Sequence, residues 1–222
     1  MALDNQSPEL FGQTPWQTVG PFFHYGLPWK GGADLIGESE IGARPELAPD
    51  AHYVLATAPH RGPIAGEAIT VIGQVLDAHG APLPDALIEI WQANAVGRYN
   101  SPDDDRPELP LDGSFIGFGR AATADNGTFR FLTLLPGPTP GPGNSQQAPH
   151  IAVGVLGRGL LKRLVTRLYF AGHPLNELDP ILTLAPPERR ETLMATMSAE
   201  EHGVWRFDIR LGGENETVFF DI

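Results

Sequence analysis

The sequence predicts an all-β protein: a β-sandwich of two sheets with an extended N-terminal arm and one short helix. Three observations predict it. Short apolar stretches with period-two alternation recur from residue 67 to the end, each bounded by turn residues. Glycine, at 26, and proline, at 22, are both above average usage, which suits a chain that turns often. Only one segment carries a helical pattern. Residues 1–66 read as an arm and loop that dock on the core or on a partner, and 67–222 as the sandwich.

Along the arm, Thr14 to Trp29 is aromatic and broken by Pro15, Gly20, Pro21 and Pro28. A residue before proline is pushed toward extended geometry, so an extended arm is expected. Trp16, Phe22, Phe23, Tyr25 and Trp29 cannot all face water and should dock on this domain or on another subunit. Residues 31–66, rich in Gly, Pro and Ala, read as a long loop.

Strands are expected at Ile69–Asp77 and Ala86–Asn94, joined by a turn with Gly80 and Pro82. Two more, Phe115–Ala121 and Gly127–Leu134, flank Asp125-Asn126-Gly127, a type I′ hairpin signal. Asn100 to Gly113 is a polar loop, and Pro136 to Asn144 a proline-glycine loop. In the next strand Ile151, Val153 and Val155 share a core face. The other face carries His150, Ala152, Gly154 and Leu156, where small residues leave room for a ligand or for tight packing. Arg163–Phe170 follows after a short link. The helix is expected at Pro186–Met197, with Leu193, Met194 and Met197 on one apolar face. Trp205–Leu211 and Glu216–Asp221 complete the strands, joined at Gly212-Gly213.

Composition narrows the function classes. The net charge of −12 leaves no basic stripe for nucleic acid or anionic membrane. No apolar run approaches the length of a membrane span, and the N-terminus has no signal-peptide pattern. There is no cysteine, which excludes disulfides and thiolate chemistry and suits a cytoplasmic protein. Nucleotide-phosphate, nucleophile-elbow and zinc-protease motifs are absent. Asp103–Asp105 lacks the glycine and distal glutamate of a calcium loop and reads as solvated.

Tyr99 and His150 remain as site candidates. Phenolate and imidazole both suit Fe³⁺, but two ligands hold a metal poorly. On the residues alone, His150 reads first as a hydrogen-bonded structural histidine and Tyr99 as an amphipathic surface or interface tyrosine, ahead of any ligand role. Trp91 and Trp205 read as core aromatics, Arg189 and Arg190 as a solvated helix face, and His52, His60, His79 and His202 as loop histidines.

Several stretches together resemble one family. EIWQANAVGRY (Glu89 to Tyr99), LPGPTP (Leu135 to Pro140), APHIAV (Ala148 to Val153), TRLYF (Thr166 to Phe170) and the ending RFDIRLGGENETVFFDI are similar to the intradiol ring-cleavage dioxygenases, and the likeness runs from Thr14 to Ile222. In catalytic members two tyrosines and two histidines hold a non-haem Fe(III). Tyr99 and His150 match two of the four positions, whereas Thr139 and Ala152 stand at the others. The resemblance therefore implies a vestigial site with no metal in this chain and no catalytic residue of its own. It implies a non-metal alpha-type subunit whose homologous beta partner keeps the iron, in a hetero-oligomer of several alpha–beta units. There the beta chain's Fe(III) and O₂ would cleave protocatechuate to 3-carboxy-cis,cis-muconate. Thr18, Gly20, Pro21 and Arg158 would line the partner's substrate pocket. Arg158 lies eight residues beyond His150, roughly 26 Å along an extended strand, and so should look outward, away from His150. The bland alternatives are a turn hydroxyl at Thr18 and a surface salt bridge at Arg158. Two rivals stand beside this reading: a self-sufficient dioxygenase with an altered ligand set, and a non-enzymatic β-sandwich binding module.

Overall fold

The computed structural model describes residues 17–27, 32–37, 39, 41 and 64–221. Trp16, Trp29, His52, His60 and most of the 31–66 loop lie outside the described residues. The architecture is all-β. The strands are β1 (Ala68–Leu76), β2 (Leu87–Trp91), β3 (Phe118–Ala122), β4 (Thr128–Leu134), β5 (Thr139–Pro140), β6 (Gln146–Gln147), β7 (His150–Leu156), β8 (Leu164–Phe170), β9 (Met194–Met197), β10 (Val204–Arg206) and β11 (Ile209–Arg210).

One layer is built on β1, which pairs with β4 on one side and with β10 and β11 on the other. The second layer runs β3-β2-β7-β8, and β9 joins the two. Its first residues pair with β8 (Tyr169 with Met194) and its last with β10 (Met197 with Trp205). The inward faces alternate as the pleat requires. Val71 and Val75 of β1, Ile88 and Ile90 of β2, and Ile151, Val153 and Val155 of β7 are all buried in one core cluster. Phe170 of β8 meets Trp205 of β10 edge-on, with ring centroids 4.9 Å apart, and so ties the two layers.

Three local expectations are corrected. The Asp125-Asn126-Gly127 turn does not join a paired hairpin. Only Gly127 takes positive φ (75°), and the Gly127 amide donates to the Ala124 carbonyl at 2.7 Å. β3 then pairs with β2 and β4 with β1, so the turn carries the chain from one layer to the other. The expected helix is a 3-10 helix, Pro187–Leu193, and Met194 opens β9 at once. Ladder hydrogen bonds to β8 and β10 outweigh the helical spacing of the methionines, and Met197 is left exposed. Glu216–Asp221 forms no ladder. It is held by one bridge, Phe220 to Val165, and by the Thr166 hydroxyl donating to the Val218 carbonyl at 2.6 Å.

The segment around Ala33, read as loop, enters the core instead. Ala33 and Leu35 are fully buried. They exchange backbone hydrogen bonds with Leu132 of β4, while the Arg120 amide of β3 donates to the Gly32 carbonyl. Three residues thus fill the wedge that opens where β3 and β4 part. No helix among the described residues is long and apolar enough to cross a membrane.

Candidate functional site

The outer face of the second layer carries the site. β7 turns Ile151 and Val153 inward, so His150, Ala152 and Gly154 face out. β8 pairs with it in register, His150 with Tyr169 and Ala152 with Arg167. β5 and β6 bring Thr139 beside Gln147. The EIWQANAVGRY stretch leaves β2 through a tight turn at Asn94, whose carboxamide oxygen accepts from the Val96 and Arg98 amides. That turn returns Tyr99 to the sheet, stacked on Trp91 at 5.7 Å and 15°. Gly97, at φ 83°, packs so closely on the Pro138 carbonyl that a Cβ there would overlap it.

These elements enclose a cavity of about 360 Å³, lined by Trp91, Tyr99, Thr139, Gln147 and the Asp103–Asp105 loop. The Tyr99 hydroxyl lies 3.5 Å from His150 Nε2. His150 Nδ1 is 2.8 Å from the Ala148 carbonyl, which can only accept, so the proton sits on Nδ1 and Nε2 offers its lone pair to Tyr99. Burial, helped by the Arg167 cation, pulls the His150 pKa down to about 4. Burial pushes the Tyr99 phenol up, against the opposing pull of Arg167 and of the Thr139 hydroxyl beside it. Both groups are held neutral. Thr139 is buried, and its hydroxyl oxygen finds no hydrogen-bond partner of ordinary geometry among the described residues. On the rim, the Arg106 guanidinium grips Asp104 at 2.6 Å and holds its carboxyl at about 2.

The sequence brought Tyr99, Thr139, His150 and Ala152 forward: Tyr99 and Thr139 line this cavity, His150 meets the Tyr99 hydroxyl, and Ala152 lies on the same face of β7 as His150. They do not suit a ferric ion. A phenol and an imidazole remain, Thr139 gives a neutral hydroxyl, and Ala152 gives no donor. Among the described residues no cluster of three His, Cys, Asp or Glu side chains could take a metal.

Arg158, Thr18 and Gly20 are gathered elsewhere, past the far end of β7. Val19 pairs with Arg158 in a parallel bridge, and the Gly159 amide donates to the Thr18 hydroxyl at 2.7 Å. The Arg158 side chain is 62% exposed and meets Asp85 at 3.2 Å. Gly20 and Pro21 are exposed, and the next residues form a 3-10 turn, Phe23–Gly26.

Sequence reasoning missed two residues that line the cavity, Trp91 and Gln147, and the arginine that donates to Gln147. Trp91, expected in the core, is half-buried and floors the site under Tyr99. Arg167 and its acceptor Gln147 were not singled out, although counting alternate residues across a β7–β8 hairpin would have set Arg167 beside Ala152.

Comparison with known proteins agrees with the geometry. The dioxygenase family (Dioxygenase_C) matches residues 45–213. The chain is 39% identical to the protocatechuate 3,4-dioxygenase alpha chain of Burkholderia cepacia, over 95% of this chain and 98% of that one. It is also 39% identical to the beta chain of the same enzyme from that organism, over 78% of this chain and 76% of that one. Among solved structures, the dioxygenase domain of a carbohydrate-binding fusion protein from Streptomyces sp. SirexAA-E superposes with a TM-score of 0.52 at 25% identity, covering 90% of this chain and 99% of that one. With a two-layer all-β fold, a cavity at the GRY and LPGPTP stretches and these relatives, the chain belongs to the intradiol ring-cleavage dioxygenase family.

Proposed function

We propose that this chain is the non-metal alpha-type subunit of a protocatechuate 3,4-dioxygenase, and that it forms one wall of the substrate pocket of a homologous beta chain. In this reading the beta chain holds Fe(III), O₂ opens the aromatic ring there, and several alpha–beta units make up the assembly. The observation that carries it is the pairing of the arm with Arg158. A backbone bridge joins Val19 to Arg158 and the Gly159 amide donates to the Thr18 hydroxyl, which supports a shared edge for the arm and the segment that carries the exposed Arg158 side chain. A small-residue arm with one cation suits a flat aromatic acid. The arm supplies surface without bulk, and the guanidinium supplies two parallel donors for a carboxylate. The Asp85 pair does not forbid this role. An ion pair with a side chain 62% exposed contributes little, so a substrate carboxylate can displace it.

The chain's own cavity supports the same division of labour. Thr139 and Ala152 stand where two of the four donors would be, so in this reading the chain does no ring chemistry alone. The test is to purify the chain by itself and together with a homologous partner that bears the full ligand set. The chain alone is expected to be colourless, iron-free and inactive, and the complex to hold iron and cleave protocatechuate. In that complex Arg158→Ala should lower kcat/KM by about ten- to a hundredfold, the worth of a charged hydrogen bond, with the iron count unchanged. Iron in the isolated chain sinks the reading. An unchanged kcat/KM removes Arg158 from the pocket.

A further inference from the structure

We propose that Asp85 is a specificity-determining residue of the shared pocket: a resident carboxylate that holds the Arg158 guanidinium between turnovers, and that the substrate's own carboxylate must replace. The inference rests on the role proposed above for Arg158 at the partner's substrate site.

The two halves of the ion pair are mounted differently. Asp85 lies in the turn that leads into β2, and the backbone on both sides of it is pinned to one buried side chain. The Ala86 amide donates to the Thr123 hydroxyl oxygen at 3.0 Å, and that hydroxyl donates to the Leu83 carbonyl at 2.7 Å. Ala86 and Thr123 are both buried. The Asp85 side chain is only 10% exposed, so its carboxylate has little freedom to move. Arg158 is held by its backbone, through the Val19 bridge and the Gly159 amide on Thr18. Its side chain, however, is 62% exposed and meets Asp85 through one contact, Nε to Oδ2 at 3.2 Å. Among the described residues, Asp85 is the carboxylate that this guanidinium meets. The acid is therefore the fixed station and the long, always charged arginine the moving part.

Two carboxylates then contend for one cation. A carboxylated aromatic that takes Arg158 trades one ion pair for another and leaves Asp85, little exposed, without its partner. Its net gain is smaller than a free guanidinium would give. A ring with no carboxylate has nothing to offer in the exchange and leaves the pair closed. Release runs the other way. In the proposed reaction both atoms of O₂ enter the ligand, and the two hydroxyl-bearing carbons become carboxylates beside the one already there. A bare guanidinium would hold this more highly charged product more firmly than the substrate. Asp85, fixed close by, takes the guanidinium back. An exposed ion pair contributes little energy, and that weakness is what lets the exchange run in both directions.

The experiment uses the complex with the proposed iron-bearing partner. It compares the parent with Asp85→Asn, an isosteric neutral change, and with Asp85→Ala, made alongside so that a folded neutral variant is in hand. The readouts are KM for protocatechuate, the inhibition constant of the ring-opened product, and the inhibition constants of 4-hydroxybenzoate and of 4-hydroxybenzyl alcohol, its uncharged counterpart. Neutralising Asp85 should lower KM by about two- to fivefold, the worth of an exposed ion pair. It should tighten product and 4-hydroxybenzoate by at least as much, and so widen the preference for the acid over the alcohol. In an Arg158→Ala background the same change should not widen that preference. Weaker binding of the acid would make Asp85 a residue that merely aims Arg158, and would overturn the proposal. Equal changes for acid and alcohol, or no change for either, would overturn it as well. If Arg158→Ala itself leaves kcat/KM as it was, the reading beneath the proposal falls instead.

Discussion

His150 is buried to 4% exposure and keeps a single proton on Nδ1, given to the Ala148 carbonyl. In the unfolded chain it would titrate near 6.5, and in the fold its pKa is about 4. The unfolded state therefore binds the extra proton between those two values and the native state does not. Stability is full above pH 6.5, falls as the pH drops toward 4, and loses nothing further from this group below that. The loss amounts to roughly 3 kcal/mol at most. Urea midpoints measured from pH 7.5 to 4 should show this limb, and His150→Gln, which cannot titrate, should flatten it. An unchanged slope would mean that His150 is charged, or solvated, in the native state. At this scale the sequence spoke clearly where parity or a motif singled a residue out, as for Tyr99 and His150. It was silent on Arg167, because an arginine at an alternate strand position is ordinary until the register of the neighbouring strand is known.

Strand pairing, by contrast, depends on contacts far apart in the chain. The strands β1, β7 and β8 were legible from period-two runs, because burial of alternate residues leaves its mark locally. The partners of β3 and β4 were not. Asp125-Asn126-Gly127 signals a hairpin, but the strands on either side follow different layers once Ala33 and Leu35 wedge between them. That wedge comes from a Gly- and Pro-rich stretch with no periodicity to betray it. Gly73 shows what such long-range approach demands. In β1 it lies opposite Phe129, and a Cβ there would overlap the Phe207 carbonyl where the chain passes from β10 to β11. The Phe207 amide donates to the Ile72 carbonyl at 2.8 Å, so that backbone cannot retreat without losing a buried hydrogen bond. Gly73→Ala should cost about 2 kcal/mol or more, the range for overpacking against fixed backbone. The loss should appear as a lower denaturant midpoint with an unchanged slope. A variant as stable as the parent would show that the β10–β11 passage gives way freely.

For the molecule as a whole, the question is which surface is made for water and which for another chain. The described arm carries an aromatic group that the fold covers only in part: Phe22 is 74% exposed, and Phe23 and Tyr25 are 38% exposed each. Phe22 leans on Tyr25, with centroids 5.7 Å apart, rather than on the core. From the sequence these rings are expected to dock on this domain or on another subunit, and within this chain Phe22 does not. In the described residues His24 is the arm side chain that turns inward. An exposed phenylalanine is worth little to its own fold, so Phe22→Ser should shift the melting of the isolated chain by no more than about 0.5 kcal/mol. Burying one phenylalanine at an interface contributes roughly 1.5 to 3 kcal/mol, which converts to about a 10- to 150-fold change in dissociation constant. Association with the proposed iron-bearing partner, followed by analytical ultracentrifugation at falling concentration, should weaken by that factor in the Phe22→Ser variant. Arg158→Ala, proposed to act on substrate and not on assembly, should leave association as it was. Equal loss of association in both variants would mean that the arm and Arg158 form one docking surface, and the division between a ring that holds the partner and a cation that meets its substrate would fall.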